Sequence, residues 1–475
     1  MPGRIDRRHA LCLLGGLAAG GWRLGIASAA SPQCRNVAPE PGTFTRFRGP
    51  SLGELARAKG LQFGLQTQIA GNHDYGEGIY DKTFLNLLFS EQPDFIAYGN
   101  QFLFSTVCPD PPVGGHLMTT ISAYNIDNSW YSLDDTAPIL MARHIGAGAN
   151  SLIWENGGIR QPWLKKIPRG SSPDREKNPD LDWNLRRMED YIRLAFTKIN
   201  ALNLRDPGFF RMVSVVNEPL DYWGRGTGQI AYRGGAMCPE GIPIDDEHGV
   251  IGYIRDAYTL AGKLRGTAGN APKLILNEAS TEDDQFSGDI RPSLLKLLKM
   301  MKAERIPLDG VGIEAHLQPQ MMTDPMKPDW GRFGAFLDEI ADLGLEIHIT
   351  ELDVCDFVAN CNGRPAKPEE SDAITALYFE TFLDRTLACR AVKSVTLWDL
   401  SDRYIFYRSL DMNAWYGYDR LPRGQTPADW PKCAKMPLSR EAIACPRGTP
   451  YDDAFRPKSA RAAIARALER APSRS

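Results

Sequence analysis

The chain has 475 residues, 43% of them hydrophobic and 24% charged, with a formal net charge of −3. This is an ordinary globular composition, long enough for an α/β barrel built as one unit. Nothing in this near-neutral balance suggests nucleic acid or an anionic membrane surface as partner, and neither is expected. Beyond the N-terminus no uninterrupted apolar run is long enough to span a bilayer.

In chain order, the first element is an export signal. "RRHALCLLGGLAAGGWRLGIASAAS" places Arg7 and Arg8 ahead of an apolar, Gly-rich stretch and small residues near Ala27 to Ala30. That is the layout of a twin-arginine secretory signal over residues 1–30. The mature chain is then expected to be exported, with no membrane anchor. Residues 31–60 read as an N-terminal extension and 61–469 as one catalytic domain. Cys12 lies in the signal, and eight cysteines follow it. In an oxidising compartment an even count suggests disulfides, for which Cys355/Cys361 and Cys433/Cys445 close short loops. Neither C-x-x-C nor H-E-x-x-H occurs, so no metal site is expected, and no cofactor is called for.

Short apolar runs then recur at 61–66, 94–98, 150–154, 212–217, 273–277, 309–314, 346–350 and 394–398. Helical periodicity separates most of them, clearest at 185–202, 291–304 and 330–344. Eight strands alternating with helices predict an α/β fold, a single-domain (β/α)₈ TIM barrel. Loops at 105–117, 167–180, 219–248 and 411–450 are long, and such loops commonly carry binding function. The last holds Trp415, Tyr416, Tyr418 and Trp430.

Two of the strands raise a chemical question. "RMVSVVNEPLDYW" (211–223) stops on Asn217-Glu218, and "LEIHITELDV" (345–354) runs to Thr350 and meets Glu351. Strand ends at the mouth of a barrel are where catalytic groups sit. Two carboxyl groups converging there suit glycosidic cleavage, one protonating the leaving oxygen and one attacking the anomeric carbon.

The segments "VVNEP", "DGVGIEAHL", "ITELDV", "SVTLWDLSDRY" and "YDDAFRPKSARAAI" resemble, in order and over nearly all of the mature chain, glycoside hydrolase family 10, the retaining endo-β-1,4-xylanases. The resemblance implies Glu218 as acid/base and Glu351 as nucleophile. It implies Asn217 as a ligand of the sugar 2-hydroxyl, His316 beside the nucleophile with Asp353 as its partner, and Trp398 as a wall of the reactive subsite. Asn100, Gln101, Trp154, Glu155, Asn277 and Glu314 fall at the family's other sugar-binding positions. A structural histidine and core tryptophans are the competing readings for His316, Trp398 and Trp154. Several positions depart from the family. Gln101 stands for a glutamate, Leu103 for a lysine, Glu155 for a histidine, Glu314 for a glutamine, and Asn277-Glu278 for Asn-Asp. The expected function is cleavage of a β-linked polysaccharide, most simply β-1,4-xylan, by a monomer. The rivals are another β-glycan or bacterial exopolysaccharide, with Glu155 and Glu314 as new hydroxyl acceptors, and a carbohydrate-binding barrel without turnover.

Overall fold

A computed structural model describes residues 44–66, 82–114, 117, 130–155, 163–221, 230–266, 269–283, 287–324, 326–355, 367–405 and 447–474. The signal, the aromatic loop at 411–446 and Cys34, Cys361, Cys433 and Cys445 lie outside these residues. Among the described residues no helix is long and apolar enough to cross a membrane. Cys108, Cys238 and Cys389 are buried free thiols.

Eight parallel strands form the barrel: β1 (Gln62–Gln66), β2 (Phe95–Tyr98), β3 (Gly146–Trp154), β4 (Phe210–Asn217), β5 (Lys273–Glu278), β6 (Gly310–Ile313), β7 (Glu346–Val354) and β8 (Val392–Leu397). Each pairs with the next, and β8 pairs with both β7 and β1, so the sheet closes. Closure removes every edge, and the strands are accordingly buried nearly end to end.

Two strands exceed their apolar signal. β3 begins at Gly146, before the expected 150, because "GAGA" offers small residues and no apolar run. Their smallness serves the barrel interior. Phe95 points inward with Met212 and Ile275. A Cβ on Gly64 would come within 2.4 Å of the Phe95 ring, and one on Gly148 would press on Met212 at 3.3 Å. The second case is β7, which continues past Thr350 to Val354. The two-residue strand His316–Leu317 joins it there, with His316 opposite Asp353.

The helices α1 (Leu52–Arg57), α2 (Lys82–Ser90), α3 (Trp130–Met141), α4 (Pro179–Arg205), α5 (Gly252–Leu264), α6 (Ser287–Ala303), α7 (Gly331–Asp342), α8 (Pro368–Ala388) and α9 (Ser459–Arg470) cover the outside. α4 starts six residues ahead of its periodic core because Asn178 caps it, accepting from the Leu181 N–H, and Pro179 fits the first turn. α1, within the stretch read as an extension, has a Ser51/Glu54 capping box and buries Leu52 and Ala56. It is tied to the far end of the chain. The fully buried Glu91 carboxylate accepts from the Leu52 N–H at 2.7 Å and from Arg461 Nε at 2.9 Å, and also from Tyr451 Oη.

Candidate active site

The site lies at the C-terminal ends of β3 to β8. Three consecutive strands reach it through a residue in the left-handed region: Glu218 after β4 (φ 44°), Ser280 after β5 (φ 55°) and Ala315 after β6 (φ 61°). Such backbone costs roughly 1–2 kcal/mol for an L residue and concentrates at functional sites. Here it turns the chain sharply at Glu218 and just ahead of His316.

Glu351 collects donors from three directions. Its Oε1 accepts from Asn150 Nδ2 at 2.7 Å and Asn277 Nδ2 at 3.0 Å, and its Oε2 lies 3.2 Å from His316 Nε2. His316 Nδ1 lies 3.0 Å from Asp353 Oδ1. Burial alone would favour the neutral ring. Asp353 and Glu351 outweigh that and hold His316 well above the usual histidine range. A protonated ring donates to both carboxylates, which fixes its plane and that of Glu351.

Glu218 is set differently. Its side chain is 1% exposed, and its backbone N–H donates to the Asn277 carbonyl at 2.9 Å. Burial pushes its carboxyl up to about 7, Arg233 pulls it down, and the charge of Glu351 pushes it up again. A carboxyl group in that range can give a proton at neutral pH and take it back.

Asn277 ties the two halves together. Its Nδ2 reaches Asn217 Oδ1 at 2.8 Å, Glu314 Oε1 at 3.2 Å and Glu351 Oε1, while Thr350 Oγ1 donates to its Oδ1 at 2.7 Å. Two amide hydrogens thus serve three acceptors. Burial and the charges of Glu351 and Glu218 push Glu314 well above the carboxylate range. That shift favours the protonated form of Glu314, which can donate as well as accept. With Asn217 Oδ1 occupied, what Asn217 can offer a sugar hydroxyl is its Nδ2.

The remaining expected residues divide. Trp398, half-buried, meets the His316 ring edge-on at 5.8 Å between centroids. Trp154 ends β3 in register with Asn217, and its indole helps to pull Glu218 down. Asn100 and Gln101 lie in the turn after β2, with Gln101 buried. Leu103 is buried too, and Phe102 packs wholly into the core, so this segment presents packing side chains where the family has charged ones. Glu155 is 3% exposed, and its Oε2 accepts from the backbone N–H groups of Ala236 and, at 2.7 Å, Met237. One of the oxygens expected to meet a sugar hydroxyl is thus committed to the fold.

Sequence reasoning missed Asn150, Thr350 and Arg233. Asn150 sits inside a buried strand with no motif to mark it, and Thr350, though within "ITELDV", shows its contact with Asn277 only in the fold. Arg233 is 15 positions from Glu218 along the chain and reaches it only through a hairpin. Ligand atoms of Glu314, His316 and Glu351 come within 4.8 Å of one another, a spacing a divalent cation could bridge. An ion there would compete with the hydrogen bonds His316 and Glu351 already make.

Known proteins are similar to this chain in sequence and in fold. The "Thermostable celloxylanase" of Thermoclostridium stercorarium is 26% identical over 290 residues, which is 56% of this chain and 65% of that protein. "Endo-1,4-beta-xylanase C" of Phanerodontia chrysosporium is 33% identical over 135 residues, 28% of this chain and 29% of that protein. The aligned part thus spans less than two thirds of either relative. Among solved structures, xylanase 10C of Cellvibrio japonicus in complex with xylopentaose superposes with a TM-score of 0.63 at 16% identity. The match covers 90% of this chain and 70% of that one, and shows the shared fold. Residues 129–421, more than half of the chain, match the family described as glycosyl hydrolase family 10. On a closed eight-stranded barrel of this kind, that match places the protein in glycosyl hydrolase family 10.

Proposed function

We propose that the protein is an exported retaining glycoside hydrolase that cleaves a β-linked polysaccharide, most simply β-1,4-xylan within the chain. The observation that carries this reading is the contrast at two strand ends. Glu218 is a buried acid near neutrality, and Glu351 is a carboxylate oriented by Asn150, Asn277 and His316. Glu218 protonates the glycosidic oxygen as Glu351 Oε attacks the anomeric carbon, so the sugar–oxygen bond breaks and a glycosyl–Glu351 ester forms. Glu218, now ionised, takes a proton from water as that water attacks the ester, releasing the sugar and regenerating both carboxyl groups. Neither step needs a cofactor. Proton NMR of the first products from xylan tests the reading: the new reducing end should appear as the β anomer, and an initial α anomer would exclude double displacement.

A second reading, a different β-glycan as preferred substrate, is favoured by the buried Leu103 and the committed Glu155 oxygen. A lost charge-assisted hydrogen bond costs about 1.5–3 kcal/mol, or one to two powers of ten in rate. Linear xylohexaose should then be a poor substrate. A kcat/KM of about 10⁶ M⁻¹s⁻¹ or more would leave plain xylanase as the answer.

Export rests on the N-terminal pattern of Arg7, Arg8 and the small residues before Ala30. In a host with a working twin-arginine pathway the mature protein should begin near Ala30. Replacing both arginines by lysine should leave precursor in the cytoplasm. Recovery of Met1-initiated protein from the periplasm would exclude the signal.

A further inference from the structure

Arg233 is drawn to Glu218 by a small hairpin. Leu220–Asp221 and Ala231–Tyr232 pair antiparallel directly after β4, which returns the chain to the strand end it has just left. There the Arg233 N–H donates to the Pro219 carbonyl at 2.7 Å. Its Nε donates to the Glu218 carbonyl at 2.7 Å, and a terminal guanidinium nitrogen lies 3.0 Å from Glu218 Oε2. One cation therefore touches both the backbone and the carboxyl group of a single residue whose backbone is left-handed. The contact is nearly dry, with the two side chains 11% and 1% exposed. A guanidinium is permanently charged and has a rigid fork of donors, which suits this double hold.

We propose that Arg233 is a positioning residue for the acid/base step. It clamps Glu218 in its turn and supplies the positive charge against which Glu218 ionises when the glycosyl-enzyme forms. The proposal rests on Glu218 being the acid/base. Without Arg233 the surroundings are heavily weighted toward the protonated form. Burial comes first and the charge of Glu351, facing Glu218 from β7, adds to it, while the Glu278 and Glu314 carboxyl groups that face it from β5 and β6 are themselves pushed toward their protonated forms. His316, after β6, and the Trp154 indole, from β3, are the other groups that favour the ionised form. An acid that is protonated for the first step but cannot stay ionised in the second would stall at the ester. Arg233 lets one carboxyl group serve both steps. Arg233 also acts on Glu278, whose carboxylate accepts from the Ala279 N–H at 3.0 Å and the Leu220 N–H at 3.3 Å, so the same cation steadies the hairpin's root.

The test uses the full-length mature enzyme with 2,4-dinitrophenyl β-xylobioside and β-cellobioside, taking whichever the wild type cleaves, together with xylan. Removing an opposite charge at this distance raises a carboxyl pKa by about 1–3 units. Arg233→Gln should therefore move the alkaline limb of kcat/KM on xylan upward by about one pH unit or more. On the dinitrophenyl glycoside, where ester hydrolysis limits turnover, kcat should fall at least tenfold at pH 6 and recover as pH rises. Arg233→Lys keeps the charge and loses the fork that holds the Glu218 carbonyl as well as its carboxyl group, so its alkaline limb should stay within about half a unit of the wild type while its rate falls. A limb that does not move in Arg233→Gln, with activity reduced equally at all pH values, overturns the proposal. So does a lysine variant no better than the glutamine variant on the dinitrophenyl glycoside. Circular dichroism melts establish that each variant is folded, and if Arg233→Gln does not fold, the lysine variant's limb and its kcat profile decide alone. Glu218→Ala with external azide runs alongside. Azide rescue there identifies Glu218 as the acid/base whatever the Arg233 variants do.

Discussion

The ends of β4 and β7 look alike as sequence and differ as chemistry. Each is an apolar strand reaching a glutamate at the mouth of the barrel. At the end of β7, amide and imidazolium donors surround Glu351, which leaves it an oriented acceptor suited to the attack proposed for it. At the end of β4, Glu218 is buried beside one cation and several carboxyl groups, which brings it near neutrality and suits it to give and regain a proton. Identical side chains are thus set for different tasks because their donors differ. The difference originates in other strands: Asn150 comes from β3, Asn277 from β5 and His316 from the short strand after β6.

The largest effect should come from removing the nucleophile. Glu351→Ala should lower kcat by roughly 10⁴-fold or more on every substrate, measured on aryl glycosides and polysaccharide alike. Residual activity above that on an activated aryl glycoside would show that the two roles are not divided as described. Glu218→Ala should be gentler and selective. General acid catalysis contributes about 10²–10⁴-fold, so polysaccharide cleavage should fall by that range. Ester formation from a dinitrophenyl glycoside, whose leaving group needs no proton, should survive, and azide should restore its turnover.

A pH profile sharpens the contrast further. The first step needs Glu218 protonated, and its pKa is pushed up to about 7. The rate constant kcat/KM on polysaccharide should therefore be fully present below that value and decline as pH rises through it. In Glu218→Ala, with an activated substrate, that limb should vanish. Persistence of the same limb would assign it to another group, such as Glu314.

Smaller effects are expected one contact away. Asp353→Asn removes the carboxylate that holds His316 charged and oriented. One charge-assisted hydrogen bond is worth about 1.5–3 kcal/mol, so kcat should drop roughly 10- to 100-fold, with little change in the azide rescue of a Glu218→Ala background. An equal loss from Asp353→Asn and Glu351→Ala would mean that His316 does more than orient. The smallest catalytic effect belongs to Glu155, a third glutamate at a strand end. Its carboxylate holds the backbone N–H groups of Ala236 and Met237. Glu155→Ala strands these buried donors at a cost of about 1–3 kcal/mol, which should appear as an earlier urea midpoint rather than as a change in substrate preference. A selective loss on the preferred glycan with unchanged stability would return Glu155 to the sugar-binding set.

Much of this was legible in the chain. A parallel strand buried on both faces must be a short apolar run, so all eight strands left a signal, and their alternation with helical periodicity implied closure. The glutamates at 218 and 351 were conspicuous because a charge at the end of such a run has no place in a core. The beginning of β3 was not legible, since Gly146 and Gly148 are there for the room they leave beside Phe209, Phe95 and Met212, and an absence of side chain carries no pattern. The last residues of β7 were hidden by their polarity, because Glu351 and Asp353 read as a strand end and are in fact paired with the segment at His316.

By itself the sequence determined the barrel and its candidate carboxyl groups, because both follow from which residues must leave water. Four glutamates, at 155, 218, 278 and 314, stand at or just past strand ends and a fifth, Glu351, lies near the end of β7, and strand position alone does not separate their tasks. Tertiary structure alone decided their chemistry. It turned Glu155 onto backbone amides, lodged Glu278 against the root of a hairpin, pushed Glu314 toward its protonated form, gathered Asn150, Asn277 and His316 on Glu351, and brought Arg233 to Glu218. The physical reason is that a carboxyl group's proton affinity and direction are set by donors and charges within a few ångströms of it. In a barrel those neighbours come from strands far apart in the chain.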